Sequence, residues 1–337
     1  MDKTIRLSHG SGARMTHELI REIFRPYLTD PGLAEETDSA ILDVQSGRYA
    51  FSTDAFVVDP VFFPGGDIGK LAVCGTSNDL AVCGAKPEWM AVSFILEEGF
   101  SLEELKKIAS SMGQEAALNG MKIVAADTKV VPKGHGDKIF ITTTGIGKVL
   151  EGLENIPTGD LILPGDHIIV TGPIGDHGAA IFATRAPGIL NPDIQSDCAQ
   201  VFQLIPEIGE LISAVRFMRD PTRGGLATVL CEITENRGWG IMLNESAIPV
   251  RPGVKAICDL AGLDPLYLAC EGRMVMMCKP ESSADIITLL KKNPLGTDAS
   301  LIGTVSAENP GRIIMKTVIG GMRVITMLAG DPLPRIC

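Results

Sequence analysis

A break in its pattern constrains this chain more than any other feature. Around residues 150–160 the sequence turns to Glu, Gly, Asn, Pro and Asp, a linker composition, and on both sides of it apolar strand runs alternate with helix signals. Before the break, Met90–Leu96 reads as a strand, and Ser101-Leu102-Glu103-Glu104 is a capping box that opens a helix running to Asn119, where Gly120 ends it. Lys122–Val131 and Lys138–Gly147 are further strands. After the break, Leu163-Pro164-Gly165-Asp166-His167 leads into the strand run Ile168–Gly172, and Met274–Met277 is another. At 337 residues the chain is too long for one ordinary core, so two α/β units are expected.

The first unit has a distinctive approach. Ser8-His9-Gly10-Ser11-Gly12-Ala13 is a small-residue segment ahead of an amphipathic run, with Thr16 placed to cap it; such a segment can fold over an anion with its backbone N–H groups. Residues 38–42 and Tyr49–Asp54 read as two strands joined by a turn at Ser46-Gly47. A small-residue helix then runs from Ile68 through Asn78-Asp79, a polar pair that is costly to bury without partners.

Charge and composition narrow the function. The net charge of −11 repels a polyanion, which argues against nucleic acid as a partner. No apolar run reaches membrane-spanning length, and Met1–Arg6 lacks the apolar core of a signal peptide, so a cytoplasmic protein is expected. The eight cysteines show no C-x-x-C pair and no matching histidine cluster. Most lie in apolar runs as reduced core residues. Cys337 differs, because it ends the chain behind Asp331-Pro332-Leu333-Pro334-Arg335-Ile336; a terminal thiol on a stiff segment can enter a pocket closed to interior side chains.

Several glycine-punctuated turns carry chemistry-bearing residues, and each also has an ordinary structural reading. Gly175-Asp176-His177-Gly178 offers a base or phosphate ligand, or simply a structural loop histidine. Arg219-Asp220-Pro221-Thr222-Arg223-Gly224-Gly225 lets a backbone approach closely before a helix. Ala269-Cys270-Glu271-Gly272-Arg273 sets a charged pair beside a strand. In the first unit Asp38, Asp54, Asp79 and Asp127 each sit at the edge of an apolar element. Brought together they would repel one another unless cations joined them, and magnesium with a nucleotide triphosphate is the economical answer.

The wording of these motifs goes further. Phe51–Asp79, Ala126-Asp127-Thr128-Lys129-Val130, Asp220–Leu226 and the terminal Pro334-Arg335-Ile336-Cys337 resemble the hydrogenase maturation family HypE, from the glycine segment to the last residue. One departure is Ala13, where the family commonly has glycine. The resemblance implies a two-domain α/β (α+β) architecture shared with aminoimidazole ribonucleotide synthetase. In this PurM-like fold an N-terminal ATP-binding domain dimerises through its sheet beside a C-terminal α/β domain. The implied divisions are 1–35, 36–152, 153–327 and a flexible tail, 328–337.

What it implies about the site is specific. Asp38, Asp54, Asp79 and Asp127 would hold Mg2+, with Gly10, Gly12, Asn78, Thr128, Asp220 and Arg223 around ATP. Cys337 would receive a carbamoyl group from the carbamoyltransferase HypF, ATP would dehydrate it to a thiocyanate, and the cyanide would pass to iron on the HypC–HypD complex. Lys129 would stabilise charge in phosphoryl transfer, Glu271 would take the amide protons, and Arg273 or Arg223 would hold phosphate or the tail carboxylate. Two rival functions stay open at this point. One is a superfamily kinase or synthetase acting on a free small molecule; the other is a non-catalytic cyanide-carrier scaffold.

Overall fold

The computed structural model describes residues 3–11, 13–29, 39–186, 194–328, 330 and 333–337. The N-terminal helix α1 (Arg14–Leu19) starts after Ala13, so Thr16 lies inside the helix rather than at its cap. Then come β1 (Tyr49–Phe56), the small hairpin β2 (Phe62–Phe63) and β3 (Gly66–Asp67), and α2 (Ile68–Val82). They are followed by β4 (Ala85–Glu97), α3 (Leu102–Leu118), β5 (Lys122–Val131) and β6 (Ile139–Val149). The strand expected over 38–42 does not form among its described residues: 39–45 are irregular, and Ile41 is 96% exposed. No sheet face receives its apolar side chains. Asp38 itself lies outside the described residues.

The four strands order as β1-β6-β4-β5, with only β4 and β5 parallel. Their inner face packs on α2 and α3 through Phe94, Leu105, Ile108 and Met112, all fully buried. The outer face is open. Phe51 is 70% exposed on it, and Tyr49 stacks on Trp89 with ring centroids 6.2 Å apart.

The second unit comprises β7 (His167–Val170), α4 (Asp176–Arg185), β8 (Val215–Arg219), α5 (Gly225–Thr234), β9 (Gly240–Asn244) and α6 (Pro252–Ala261). It continues with β10 (Val275–Cys278), α7 (Ser283–Leu290), β11 (Ser300–Ser306), β12 (Ile313–Lys316) and β13 (Met322–Ile325). Its seven strands order as β13-β12-β9-β11-β7-β10-β8. Period-two alternation divides them between two cores. Ile168, Val170, Val275 and Met277 face α5, while Ile169, Met274 and Met276 face α7.

Helix α2 joins the units. Asp67 caps it, accepting hydrogen bonds from the Gly69 and Lys70 amides at 2.7 and 3.1 Å, which satisfies two orphan donors. Most of the helix is buried because it has the sheet on one side and the second unit on the other. Its small residues permit that: a side chain at Gly75 would strike the Phe56 ring. Asn78 is a structural bolt across the junction. Its amide donates to the carbonyls of Ala199 and Glu271 at 3.0 and 3.1 Å and its oxygen accepts the Val201 amide at 2.8 Å.

Candidate active site

The site grows from the inner side of β1. Asp54 is in register with Thr143, whose hydroxyl meets Thr76 of α2, so it points inward toward the helix. Ser52, two residues earlier and on the same face, donates to Asp79 at 2.6 Å. Asp79 occupies the last turn of α2, where the helix dipole disfavours negative charge. Asp220 follows directly after β8. Burial drives the carboxyls of Asp54 and Asp79 above the usual range, and the charge of Asp54 pushes Asp79 further. Asp220 is pushed up to about 7, first by burial and then by Asp79. The guanidinium groups of Arg219 and Arg223 oppose these shifts at Asp79. Ser52, Asp79, Arg219 and Asp220 line a cavity of about 240 Å³.

This is a place where negative charge is concentrated and poorly compensated. A cation that takes one or two carboxylates and completes its shell with phosphate oxygens fits it better than one needing a full protein cage. Among the described residues no three His, Cys, Asp or Glu side chains enclose a metal position.

Glu271 stands behind this cluster. It is 2% exposed, and its Oε1 is buried with no hydrogen-bond partner. Burial, then Cys198, Asp220 and Asp197, drive its carboxyl well above the usual range. Its backbone is held firmly. Asp197 accepts the amides of Glu271 and Gly272, each at 3.2 Å, and a side chain at Gly272 would collide with the Asp197 carbonyl. The sequence reads Glu271 as one of a charged pair beside a strand; the domain junction closes over it completely.

Asp127 does not join Asp54 and Asp79. It pairs in register with Ser93, Ser93 with Thr142, and Thr142 with Ala55. Asp127 therefore lies three strand spacings from β1, ~14 Å along the sheet. It also points to the open face, while Asp54 points to the helical one. There it accepts from Lys129 Nζ at 2.9 Å, an exposed pair that holds the Asp127 carboxyl below the usual range. The expected four-carboxylate cage is thus not assembled within one chain, and Lys129 is on the opposite face from Glu271.

The other expected site residues divide similarly. Thr128 is buried on the inner face. Gly10 packs on β5, where a side chain would strike Val130; Gly12 lies outside the described residues. Arg223 is exposed beside Asp54 and Asp79. Arg273 is buried, donating to the carbonyls of Pro173 and Leu295 at 3.1 and 3.2 Å and lying 3.5 Å from Asp197. It braces the fold rather than offering a hand to phosphate.

The end of the chain is docked. Leu333 and Ile336 are buried in a core cluster that draws on both units. The amides of Val57 and Asp59 donate to the carbonyls of Cys337 and Arg335 at 3.1 and 3.2 Å, an antiparallel pairing just beyond β1. Arg335 donates to the Val57 carbonyl at 2.9 Å and to Asp137 at 2.6 Å. From the second unit, Arg185 donates to the Pro334 carbonyl at 2.7 Å. Val57 is three residues from Asp54, so the final residue sits ~10 Å along the chain from the acidic cluster.

Comparison with known proteins matches this fold along nearly the whole chain. The family model "AIR synthase related protein, N-terminal domain" covers residues 36–149, and its C-terminal counterpart covers 164–316. A carbamoyl dehydratase HypE of Rhodobacter capsulatus is 44% identical over 339 residues, covering 100% of this chain and 99% of the relative. A crystal structure of hydrogenase maturation protein HypE in complex with ATP superposes with a TM-score of 0.92 at 42% identity, covering 98% of this chain and 99% of that one. The chain belongs to the HypE family. A HypE–HypF complex also matches, with a TM-score of 0.80, 42% identity and 92% and 99% coverage.

For a HypE-family chain, the residues that sequence reasoning missed are instructive. Ser196, Asp197 and Cys198 form the loop that presents Glu271, yet their segment has neither periodicity nor a motif. The one mark it carries is the burial of Asp197, and burial is not visible in sequence.

Proposed function

We propose that this chain is an ATP-dependent carbamoyl dehydratase whose substrate is its own C-terminus, converting S-carbamoyl Cys337 into a thiocyanate that supplies cyanide for hydrogenase iron. The observation that carries this reading is the docked tail: Cys337 packs on a core cluster shared by the two units and pairs with Val57, three residues beyond Asp54. The names of the relatives and the ATP bound to one of them support it.

An amide oxygen is a poor leaving group, so it must first become a phosphate ester. The carbamoyl oxygen attacks the γ-phosphorus of ATP, the bond to the β-phosphate breaks, and ADP departs. Loss of both N–H protons and of inorganic phosphate then leaves C≡N on sulfur. Overall, the carbamoyl group and ATP give thiocyanate, ADP, phosphate and a proton. Tethering gives the reacting group a high local concentration, and the closed junction keeps water away.

Asp54, Asp79 and Asp220 would hold Mg2+, which supplies charge neutralisation for the triphosphate; the mutual elevation of these carboxyls supports that assignment. Arg219 and Arg223 bring positive charge to the same place. Glu271 is the proton acceptor. Its burial gives the carboxylate a high proton affinity, and the accepting form gains population as pH rises.

The second half of the site comes from a second copy. A four-stranded sheet with two free edges and an open face of mixed polarity that exposes Phe51 is completed when two copies form an eight-stranded barrel, which leaves no edge. That arrangement sets β5 of one subunit, with Asp127 and Lys129, beside β1 of the other. In this reading 36–152 is the ATP-binding and dimer-forming domain and 153–327 the domain that presents Glu271. HypF is the carbamoyl donor, as the HypE–HypF complex of a relative suggests, and HypC–HypD is the acceptor. The free state of all eight cysteines suits a reducing cytoplasm, and no helix among the described residues is long and apolar enough to cross a membrane.

Intact-mass measurement tests the function. Carbamoylated protein given ATP should lose one water, localised to the C-terminal peptide. ATP consumption with no change in that peptide's mass would end the proposal.

A further inference from the structure

His177 has no part in the reaction above, yet it touches the chain end directly. It is fully buried, and Phe63 packs its ring edge-on at 5.3 Å between centroids. Its Nε2 lies 2.6 Å from the Ile336 carbonyl and its Nδ1 2.7 Å from Ser196 Oγ. A carbonyl can only accept, so Nε2 carries the proton and donates. Burial lowers the imidazole pKa, which keeps the ring neutral with this single N–H, and Nδ1 must then accept the Ser196 hydroxyl proton. Ser196 Oγ in turn accepts the Cys198 amide at 3.0 Å, and the Ser196 amide donates to the Pro64 carbonyl at 2.8 Å. Every donor in this chain has one acceptor, and its direction is fixed from Cys198 to Ile336.

The chain therefore runs from the docked tail to the loop holding Glu271, since Asp197 lies between Ser196 and Cys198 and carries the Glu271 and Gly272 amides. We propose that His177 is a positioning residue that fixes the register of the docked tail by tying Ile336, the residue before Cys337, to the loop that presents Glu271. The role rests on the dehydratase reading for its purpose, but the docking itself is independent of it. An undocked tail leaves the buried His177 donor unpaired, and that cost favours the docked state.

The experiment measures tail docking and chemistry separately, on the full-length protein. Docking is read as the rate at which iodoacetamide alkylates Cys337, quantified on the C-terminal peptide by mass spectrometry. Chemistry is read as the single-turnover loss of water from the carbamoylated protein, with ATP affinity measured by calorimetry. His177→Leu should raise the alkylation rate about tenfold or more, as expected for loss of one buried hydrogen bond. It should slow dehydration by a similar factor and leave ATP affinity unchanged. His177→Gln, whose amide can still donate to Ile336, should stay within about threefold of wild type. A His177→Leu protein whose Cys337 reacts at the wild-type rate overturns the proposal. Should that variant fail to fold, Ser196→Ala, which removes only the hydroxyl orienting the ring, should shift both rates the same way by about threefold; unchanged rates overturn it equally. Absence of water loss in wild type with normal Cys337 protection would refute the dehydratase reading and leave the docking role standing.

Discussion

Asp54 and Asp127 look alike in the sequence, each an aspartate near the end of a strand in the same domain, and the fold treats them oppositely. Asp54 is drawn against α2 with Asp79 and Asp220, and burial raises its carboxyl; Asp127 stands in solvent beside Lys129, which lowers its own. The strand pleat explains the contrast. Asp54 falls in register with inward Thr143 and Asp127 with outward Thr142, one residue apart in the ladder and so on opposite faces. The chain thus carries two acidic places of opposite character, one raised by burial against α2, the other exposed on the open face beside Lys129.

The largest effects should come from the reacting groups on the inner side. Cys337→Ala should abolish thiocyanate formation while calorimetry shows ATP affinity nearly intact; loss of nucleotide binding would mean that the tail helps build the ATP site. Glu271→Gln should be carbamoylated normally but dehydrate slower by roughly 10²–10⁴-fold. The wild-type rate should climb with pH above the ordinary carboxylate range as the raised carboxyl ionises, whereas the variant should lack that climb. Full water loss in Glu271→Gln would remove it from the base role.

The outer acidic place is tested by pairing it with the inner one. Asp54→Asn and Lys129→Ala should each be slow alone, yet a mixture of the two proteins should regain activity, because a mixed dimer contains one intact site. No recovery after subunit exchange would place the two residues in separate functions.

Stability should separate the faces as well. Asp220 has a folded pKa raised to about 7 from 3.8, so its ionisation costs the ligand-free fold stability as pH rises through that range. Asp220→Asn should therefore stabilise the apo protein by ~2–4 kcal/mol near pH 8 in denaturant unfolding, with the gain vanishing toward pH 4. At the other face, Lys129→Ala breaks an exposed ion pair and should change stability by less than ~1 kcal/mol. A larger loss would mean that Lys129 is already holding a dimer together.

Much of the fold could be read because its signals are local. The capping box at Ser101 gives an amide-to-hydroxyl bond of 3.3 Å from Glu104, and α3 ends at Leu118 with Gly120 at φ +67° just beyond. The strand expected at 38–42 failed because a short apolar run needs a partner strand, which its neighbours do not provide. Asn78 was expected to face ATP and instead ties the domains together, because a buried amide satisfies itself with whichever backbone groups the junction offers. Arg273 was misread for the same reason.

Residue order alone settled which groups are present: a thiol on the last residue, carboxylates at strand and helix ends, and glycines where only glycine avoids collision. It settled the succession of elements too, since periodicity and caps act over a few residues. Which carboxylates meet, how deeply Glu271 is enclosed and what grips the tail were decided only when two sheets closed around α2. Those outcomes depend on strand register and on contacts between residues more than a hundred positions apart, and no local signal encodes either.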